Sequence, residues 1–446
     1  MIDVGFLLSP RLRRHYALAQ LRLTIPARDA SDWAQRQLEA FRSVWADARA
    51  DVPYYGDLVA RGLAPAEIAT WNDVRSIPEL TRSALQGCPD RFIRRSGPPT
   101  NYAVTGGSTG VPVQVGVQQH ERDLLRMVKL ASWIDAGYTK ASRLFLLWGH
   151  AHLLGTGLKG RVNHLRRVAA DRLLGYRRVD VHWLSSERCA QYAADLISHQ
   201  PVAVIGYAAT LDVFARHTVE FRSRFHALGL RFVLSTAEPP PRSDTLERVE
   251  DLFGCPVVEE YGGAEFGQVA FRKANSFDTI HDLNYLEAIP DTTSTDGSEA
   301  VVVTTLYPRY VPLIRYRVGD AVAAVERWPH GHVHRFGRVA GRENDVIALA
   351  GGYFVHSVSF LHCVRTEPAV HAVQLVVTDD GIDLCIVSSS TDRAALEQRI
   401  RRRLTDVHPS LEGVRFRYVD DLQTSGAGKR RWFIDRRSRP SEAFRV

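Results

Sequence analysis

The sequence predicts an α/β protein with a large layered N-terminal domain, mainly parallel sheets and a β-rich subdomain, followed by a small α+β C-terminal domain. Three patterns point there. Short apolar runs that end in glycine or hydroxyl residues alternate with helical stretches up to about residue 260. From about residue 298 strands follow one another directly. Beyond the polar break Gly341-Arg342-Glu343-Asn344-Asp345, two strand-like runs precede one helical stretch. The expected boundaries are 1–341 for the N-terminal core, with the β-rich part at about 298–341, and 342–446 for the C-terminal domain.

Taken in order, residues 30–70 read as helical, because Trp33, Leu38, Phe41, Val44 and Trp45 recur at helical steps, and Pro53-Tyr54-Tyr55 breaks that helix. Ile77-Pro78 and Pro98-Pro99 mark loops. Tyr102-Ala103-Val104 reads as a strand, residues 113–117 as another, and 120–137 as a helix. Apolar runs at 144–148, 202–207, 231–236 and 256–262 read as buried strands, separated by helical stretches at 187–198, 209–226 and 243–252. Residues 300–306, 312–317 and 321–325 read as consecutive strands. The C-terminal domain contributes strands at 373–377 and 383–387 and a helix at 392–404. In open sheets of parallel strands a ligand sits beyond the carboxyl ends, so each polar or glycine-rich strand end faces one crevice.

Bulk properties narrow the class. A chain of 446 residues with 45% hydrophobic and 24% charged residues is a multi-domain globular protein with ample core. The net charge of +7, from 57 basic and 50 acidic residues, favours anionic ligands only weakly. Arginines cluster at 161–178, 399–403 and 430–437, and read as solvated helix faces. No aromatic stacking platform accompanies them, so no nucleic-acid partner is expected. Five scattered cysteines with no C-x-x-C spacing fit a reducing cytoplasm better than a disulfide framework. No signal-peptide core and no apolar run of membrane-spanning length is read from the sequence.

The richest local signal is Val104-Thr105-Gly106-Gly107-Ser108-Thr109-Gly110-Val111-Pro112. Glycine lets backbone N–H groups approach a ligand closely, and Ser and Thr add hydroxyl donors, which together can cradle a phosphate without any charged residue. It is not a Walker loop, since Val111 and Pro112 follow Gly110 where Lys and Ser/Thr would stand. It satisfies G-x-S-x-G with Ser108 as a hydrolase nucleophile, but such an elbow runs straight into a helix and Pro112 opposes one. An ordinary Gly/Ser turn remains the plain alternative.

Further segments repeat in the right order: Ser235-Thr236-Ala237-Glu238-Pro239, Glu260-Tyr261-Gly262-Gly263-Ala264-Glu265, Pro312-Leu313-Ile314-Arg315-Tyr316-Arg317-Val318-Gly319-Asp320, Gly341-Arg342 and Thr424-Ser425-Gly426-Ala427-Gly428-Lys429. With Pro53-Tyr54-Tyr55 and Ile77-Pro78-Glu79-Leu80-Thr81, they make the chain resemble the adenylate-forming (acyl-activating) enzyme superfamily over nearly its whole length. Within it the phenylacetate–CoA ligase-like branch, which includes capsule-biosynthesis relatives, is most similar.

The resemblance implies a role for each segment. Thr105, Gly106, Gly107, Ser108, Thr109 and Gly110 would hold the ATP phosphates, though Val111 and Val113 stand where many relatives carry a Lys. Ala237, Glu238, Pro239, Glu260, Tyr261 and Gly262 would line the adenine, Asp320 would grip the ribose and Arg342 would approach the nucleotide. Glu265 would hold Mg²⁺, a hard cation suited to a carboxylate. Lys429 is carried over as the catalytic lysine, and Asn344 as the hinge on which the mobile C-terminal domain swings, where relatives usually have an acidic residue or Lys. Trp148, His150, His152 and Gly263 are candidates for the acyl pocket, and Gly351-Gly352 matches a glycine turn that leads into the acceptor tunnel.

The implied reaction is ATP-dependent activation of a carboxylic acid as acyl-AMP with release of pyrophosphate, then transfer to an acceptor. CoA is the default acceptor by resemblance, with an amine, another nitrogen nucleophile or a carrier protein as the alternatives. A serine hydrolase using Ser108 and a non-catalytic nucleotide-binding scaffold are the competing classes. No zinc is expected, because Phe271-Arg272-Lys273 stands where zinc-binding relatives place cysteines. A homodimer is left open.

Overall fold

The computed structural model describes residues 10–24, 29–104, 113–140, 142–148, 157–179, 181, 186–237, 239–240, 244–290, 297–342, 346–348, 354–356, 360, 363–364, 367–407, 409–423 and 432–437. The N-terminal helices are α1 (Pro10–Leu23), α2 (Ala30–Asp51), α3 (Pro53–Ala60), α4 (Trp71–Ser76) and α5 (Arg82–Gly87). The Asp29 side chain caps α2 by accepting from the N–H groups of Ser31 and Asp32, and the helix buries Phe41, Val44, Trp45 and Ala48 along one face. The expected 30–70 helix is two helices, because Val52, which precedes a proline, is extended (ψ 115°) and Pro53 then opens α3. Thr70 and Asp73 close a reciprocal capping box on α4.

A hairpin, β1 (Asn101–Val104) and β2 (Gln114–Val117), brackets the glycine-rich segment, which itself lies outside the described residues. After α6 (Gln119–Asp135) come β3 (Leu144–Leu147), α7 (Gly157–Leu173), β4 (Tyr176–Val179), α8 (Ser186–His199), β5 (Ala203–Tyr207), α9 (Ala208–His217), α10 (Arg222–His226), β6 (Phe232–Thr236), α11 (Thr245–Phe253) and β7 (Val257–Gly263). The expected 209–226 helix is interrupted by a 3₁₀ turn at Val219–Phe221.

Antiparallel strands follow: β8 (Gly267–Lys273), β9 (Ser276–Thr279), β10 (Asn284–Pro290), β11 (Glu299–Thr305), β12 (Tyr316–Arg327) and β13 (Val333–Arg342). They extend the same sheet, whose eleven strands run β10-β11-β12-β13-β9-β8-β7-β6-β5-β3-β4. The half from β4 to β7 is parallel and the half from β7 to β10 is antiparallel, so the sheet is mixed. The segment expected as a strand at 312–317 is irregular up to Arg315, whose positive φ of 48° turns the chain before β12 begins. Residues 316–327 then form one continuous strand where two had been expected.

The remaining strands are β14 (Val346–Ala348), β15 (Phe354–His356), β16 (Val370–Thr378) and β17 (Gly381–Ser388), then helix α12 (Arg393–Val407), β18 (Arg415–Tyr418) and β19 (Phe433–Asp435). The C-terminal core is self-contained, with Phe360, Leu375, Leu384, Ile386, Leu396, Ile400 and Leu404 fully buried together. Among the described residues no helix is long and apolar enough to cross a membrane. All five cysteines are free, and burial pushes the thiols of Cys189 and Cys255 up to about 11 and about 12.

Three neutral histidines tie α2 to the antiparallel strands. His330 Nε2 donates to Gln37 Oε1 (2.8 Å), and Gln37 Nε2 donates to the His281 carbonyl (2.8 Å). His332 is wholly buried; its Nδ1 accepts from the Leu286 N–H (3.1 Å) and its Nε2 meets the Thr279 hydroxyl (3.2 Å). Burial lowers the pKa of all three, to about 4 for His281 and His330. Folding therefore holds them neutral, so their contribution to stability is complete above pH 6.5, the ordinary value, and is lost as pH falls towards 4. Urea midpoints should drop steeply between about pH 6.5 and pH 4. His330→Gln, which keeps a polar side chain beside Gln37 and removes one titrating group, should flatten that drop. An unchanged slope in the variant would show that His330 contributes nothing to it.

A candidate nucleotide site at the strand ends

The parallel strands β3, β5, β6 and β7 deliver Trp148, Tyr207, Thr236-Ala237 and Tyr261-Gly262 to one edge of the sheet, at their carboxyl ends. Trp148 stacks on Tyr207 with ring centroids 4.3 Å apart. Ala237, the first residue beyond β6, has φ of 71°, a left-handed conformation that costs a non-glycine residue and clusters at functional sites. Pro239 lies two residues on, as irregular chain.

The centre of the arrangement is the hydrogen bond from the Tyr261 hydroxyl to Asp320 Oδ2 (3.0 Å), which joins two motifs 59 residues apart. In the sheet order β7 and β12 are four strands apart, with β8, β9 and β13 between them. At about 4.8 Å per strand a flat sheet would separate them by about 19 Å. The antiparallel half therefore curls over. Its inner side is filled by Tyr261, Phe266, Phe277 and Phe336, with Phe277 and Phe336 stacked at 4.9 Å and Tyr261 edge-on to Phe336 at 5.8 Å. Arg342, at the end of β13, stands opposite Asp320 in the register of β12 and β13. The side chains of Tyr261 and Asp320 thus meet, and the backbone of Arg342 lies at the register position opposite Asp320.

Glu265 is buried just beyond β7, where its Oε1 accepts from the Tyr316 hydroxyl (3.3 Å) and lies 3.7 Å from Arg82 Nη1. Its backbone carbonyl accepts from Arg309 Nη2 (2.6 Å), and Arg309 is itself paired with Glu121 in a fully buried ion pair (3.1 Å). Gly263 gives the carboxylate room, since a Cβ there would lie 3.1 Å from Glu265 Oε2 and 2.5 Å from the Phe266 ring. Among the described residues no group of three His, Cys, Asp or Glu could hold a metal ion.

Arg82 was not anticipated. It opens α5 directly after the anticipated Ile77–Thr81 segment, and that segment is anchored by two backbone bonds, Leu80 N–H to the Arg315 carbonyl (2.9 Å) and Arg317 N–H to the Leu80 carbonyl (3.0 Å). The basic residue one position beyond the motif was the signal available. Arg315 is held from behind by Glu287 (3.1 and 3.2 Å) and by the carbonyls of Arg75 and Ile77, and Arg317 by Glu79 (2.7 Å). Both arginines of the Arg315–Asp320 motif are thereby engaged with protein groups.

Glu260 turns its side chain under α6, where Oε1 accepts from Lys129 Nζ (2.7 Å) and the Thr236 hydroxyl (2.8 Å). Thr105, Gly106, Gly107, Ser108, Thr109, Gly110, His150, His152, Glu238, Asn344 and Lys429 lie outside the described residues, as does the side chain of Arg342.

The comparisons with known proteins fit this geometry. No family model matches the chain. It is 20% identical to the protein CapK of Staphylococcus aureus, over 96% of this chain and 94% of that one. It is 26% identical to the phenylacetate–coenzyme A ligase of Pseudomonas putida, over 71% of this chain and 72% of that one. In structure it is similar to a 2-hydroxyisobutyryl-CoA ligase solved in a postadenylation state, with a TM-score of 0.65 at 15% identity, covering 92% of this chain and 93% of the other. The same ligase in an open conformation gives 0.55. The fold is shared with this ligase, and in sequence the chain is similar to CapK and to a phenylacetate–coenzyme A ligase over most of its length, as the resemblance to the adenylate-forming superfamily implies.

Proposed function

We propose that this protein is an ATP-dependent, AMP-forming ligase that activates a carboxylic acid and passes the acyl group to an acceptor, with the thiol of CoA the first candidate. The observation that carries the reading is the Tyr261–Asp320 bond, which brings an aromatic face and a bidentate acceptor together beside Arg342 at the strand ends. Similarity to phenylacetate–coenzyme A ligases supports the acid–thiol form of the reaction.

In the first half-reaction a carboxylate oxygen of the acid attacks the α-phosphorus. The bond to the β-phosphate oxygen breaks and pyrophosphate leaves with the electron pair. Ala237, Glu238, Pro239, Gly262 and the Tyr261 ring line the adenine, and Asp320 accepts from the ribose hydroxyls. The backbone and hydroxyls of Thr105–Gly110 receive the phosphates. Glu265 is the carboxylate that would hold a Mg²⁺, which would supply charge neutralisation on the phosphates. Arg82, beside the same carboxylate, adds a fixed positive charge that the glycine loop lacks. Lys429 places its ammonium on the oxygens where charge builds in the transition state. In the second half-reaction the C-terminal domain turns about Asn344, the acceptor's sulfur attacks the acyl carbon, and AMP departs. Trp148, His150, His152 and Gly263 are the candidates for contact with the acyl group.

Acid-dependent pyrophosphate release, or ATP–pyrophosphate exchange, over a panel of aryl, aliphatic and amino acids tests the reading, and release with none of them would end it. Lys429→Ala should lower adenylation by about 10²–10³-fold with ATP binding retained, as loss of a charge-stabilising group does; undiminished turnover would remove the lysine from the mechanism. Asp320→Ala should raise the KM for ATP about tenfold or more through loss of charge-assisted bonds, and Tyr261→Phe should raise it less, about three- to fivefold. Equal KM values in all three proteins would exclude this pair from nucleotide binding.

A further inference from the structure

Behind the Tyr261 turn lies a polar patch that the adenylation chemistry does not use. It is formed by Lys129, Ser132 and Trp133 on α6, Thr236 at the end of β6, Glu260 on β7 and Gln268 on β8. Lys129 and Thr236 both donate to Glu260 Oε1, while Glu260 Oε2 is buried with no donor. The Ser132 hydroxyl donates to the Val128 carbonyl (3.4 Å) and so accepts from Gln268 Nε2 (3.3 Å), which leaves Gln268 Oε1 buried with no donor. Trp133 Nε1–H is buried with no acceptor. Among the described residues two acceptors, on β7 and β8, and one donor, on α6, are thus left vacant, and buried polar groups are otherwise paired. Gln268 stands opposite Gly262 in the hairpin, and Glu260 immediately precedes Tyr261, so the patch adjoins the strand ends where the acyl-AMP would lie.

The character of the missing partner follows from charge and valence. Lys129 balances Glu260, so the patch is neutral and a substrate ammonium would add an uncompensated charge. A hydroxyl both donates and accepts: it can donate to Glu260 Oε2 or Gln268 Oε1 while accepting from the Trp133 indole. A pair of neighbouring hydroxyls fills both acceptors. Lys129, with 42% of its side chain exposed, forms the outer wall, and an ion pair with so exposed a partner parts at little cost.

We propose that this patch reads hydroxyl groups on the acyl chain of the acid, and that the substrate class is a hydroxylated carboxylic acid. The proposal rests on the adenylation reading above. It gives the Glu260 side chain a place on the acyl side, while its backbone stays in the segment beside the nucleotide.

The test is ATP–pyrophosphate exchange with matched acids of one carbon skeleton carrying no, one or two hydroxyls, using the wild-type chain, Gln268→Leu and Trp133→Phe. The wild type should favour a hydroxylated acid over its deoxy analogue by about tenfold or more in kcat/KM, because a site with buried unpaired groups discriminates against a ligand lacking their partners. Each variant should shrink that ratio to about two- to threefold, through the KM for the acid and with the KM for ATP unchanged. Equal or better use of the deoxy acids by the wild type overturns the proposal and leaves adenylation standing. So does an undiminished preference in both variants. Exchange with no acid at all would remove the adenylation reading, and this one with it.

Discussion

Curling of the antiparallel half of the sheet is the constraint on which the site depends. Tyr261 and Asp320 are four strands apart in hydrogen-bonding order, yet their side chains bond at 3.0 Å. The junction that permits this is narrow, since β9 and β13 pair only through Phe277–Phe336 and Asp278–Arg335. So short a ladder leaves the two flanking ribbons free to bend towards each other, and the aromatic filling on the inside of the bend fixes how far they go. Asp320 and the Tyr261 ring are thus brought together by the packing of side chains on neighbouring strands.

Behind that surface, buried charge holds the backbone in place. Arg315, at positive φ, is gripped by Glu287 and two carbonyls, and Arg309 with Glu121 forms a pair almost wholly removed from water. Such pairs contribute little net stability compared with apolar packing, but losing one partner strands the other at a cost of about 3–5 kcal/mol. They specify geometry: Arg309 also fixes the Glu265 carbonyl, and the Arg315 turn presents the backbone on which Leu80 docks, which in turn delivers Arg82.

Much of this was legible in the sequence. The parallel strands, their glycine or hydroxyl ends and the order of the motifs follow from local pattern, because a buried parallel strand is a continuous apolar run and each side chain reports its own burial. What escaped is what depends on distant partners. Nothing local to 312–317 reveals that Arg315 turns the chain, since the turn is held by Glu287 and the carbonyls of Arg75 and Ile77. Nothing near Glu260 announces Lys129, 131 residues earlier in the chain. The helix at Gly157–Leu173 was foreseen only as an arginine-rich solvated face, because its few apolar residues include the exposed Val162, Leu165 and Leu173 and make no inward stripe. The break at Val52 was visible in Pro53, but the immediate restart of the helix was not.

Gly262 carries a consequence for how such a protein diversifies. A Cβ at this position would lie 2.2 Å from the Gly267 carbonyl oxygen, a backbone atom that cannot step aside. Any side chain at 262 would therefore force the hairpin apart, whereas Glu260 and Gln268 already carry side chains on the same two strands. A change in what this edge of the sheet contacts therefore has to come from the side chains beside Gly262, around a stretch of main chain that stays bare.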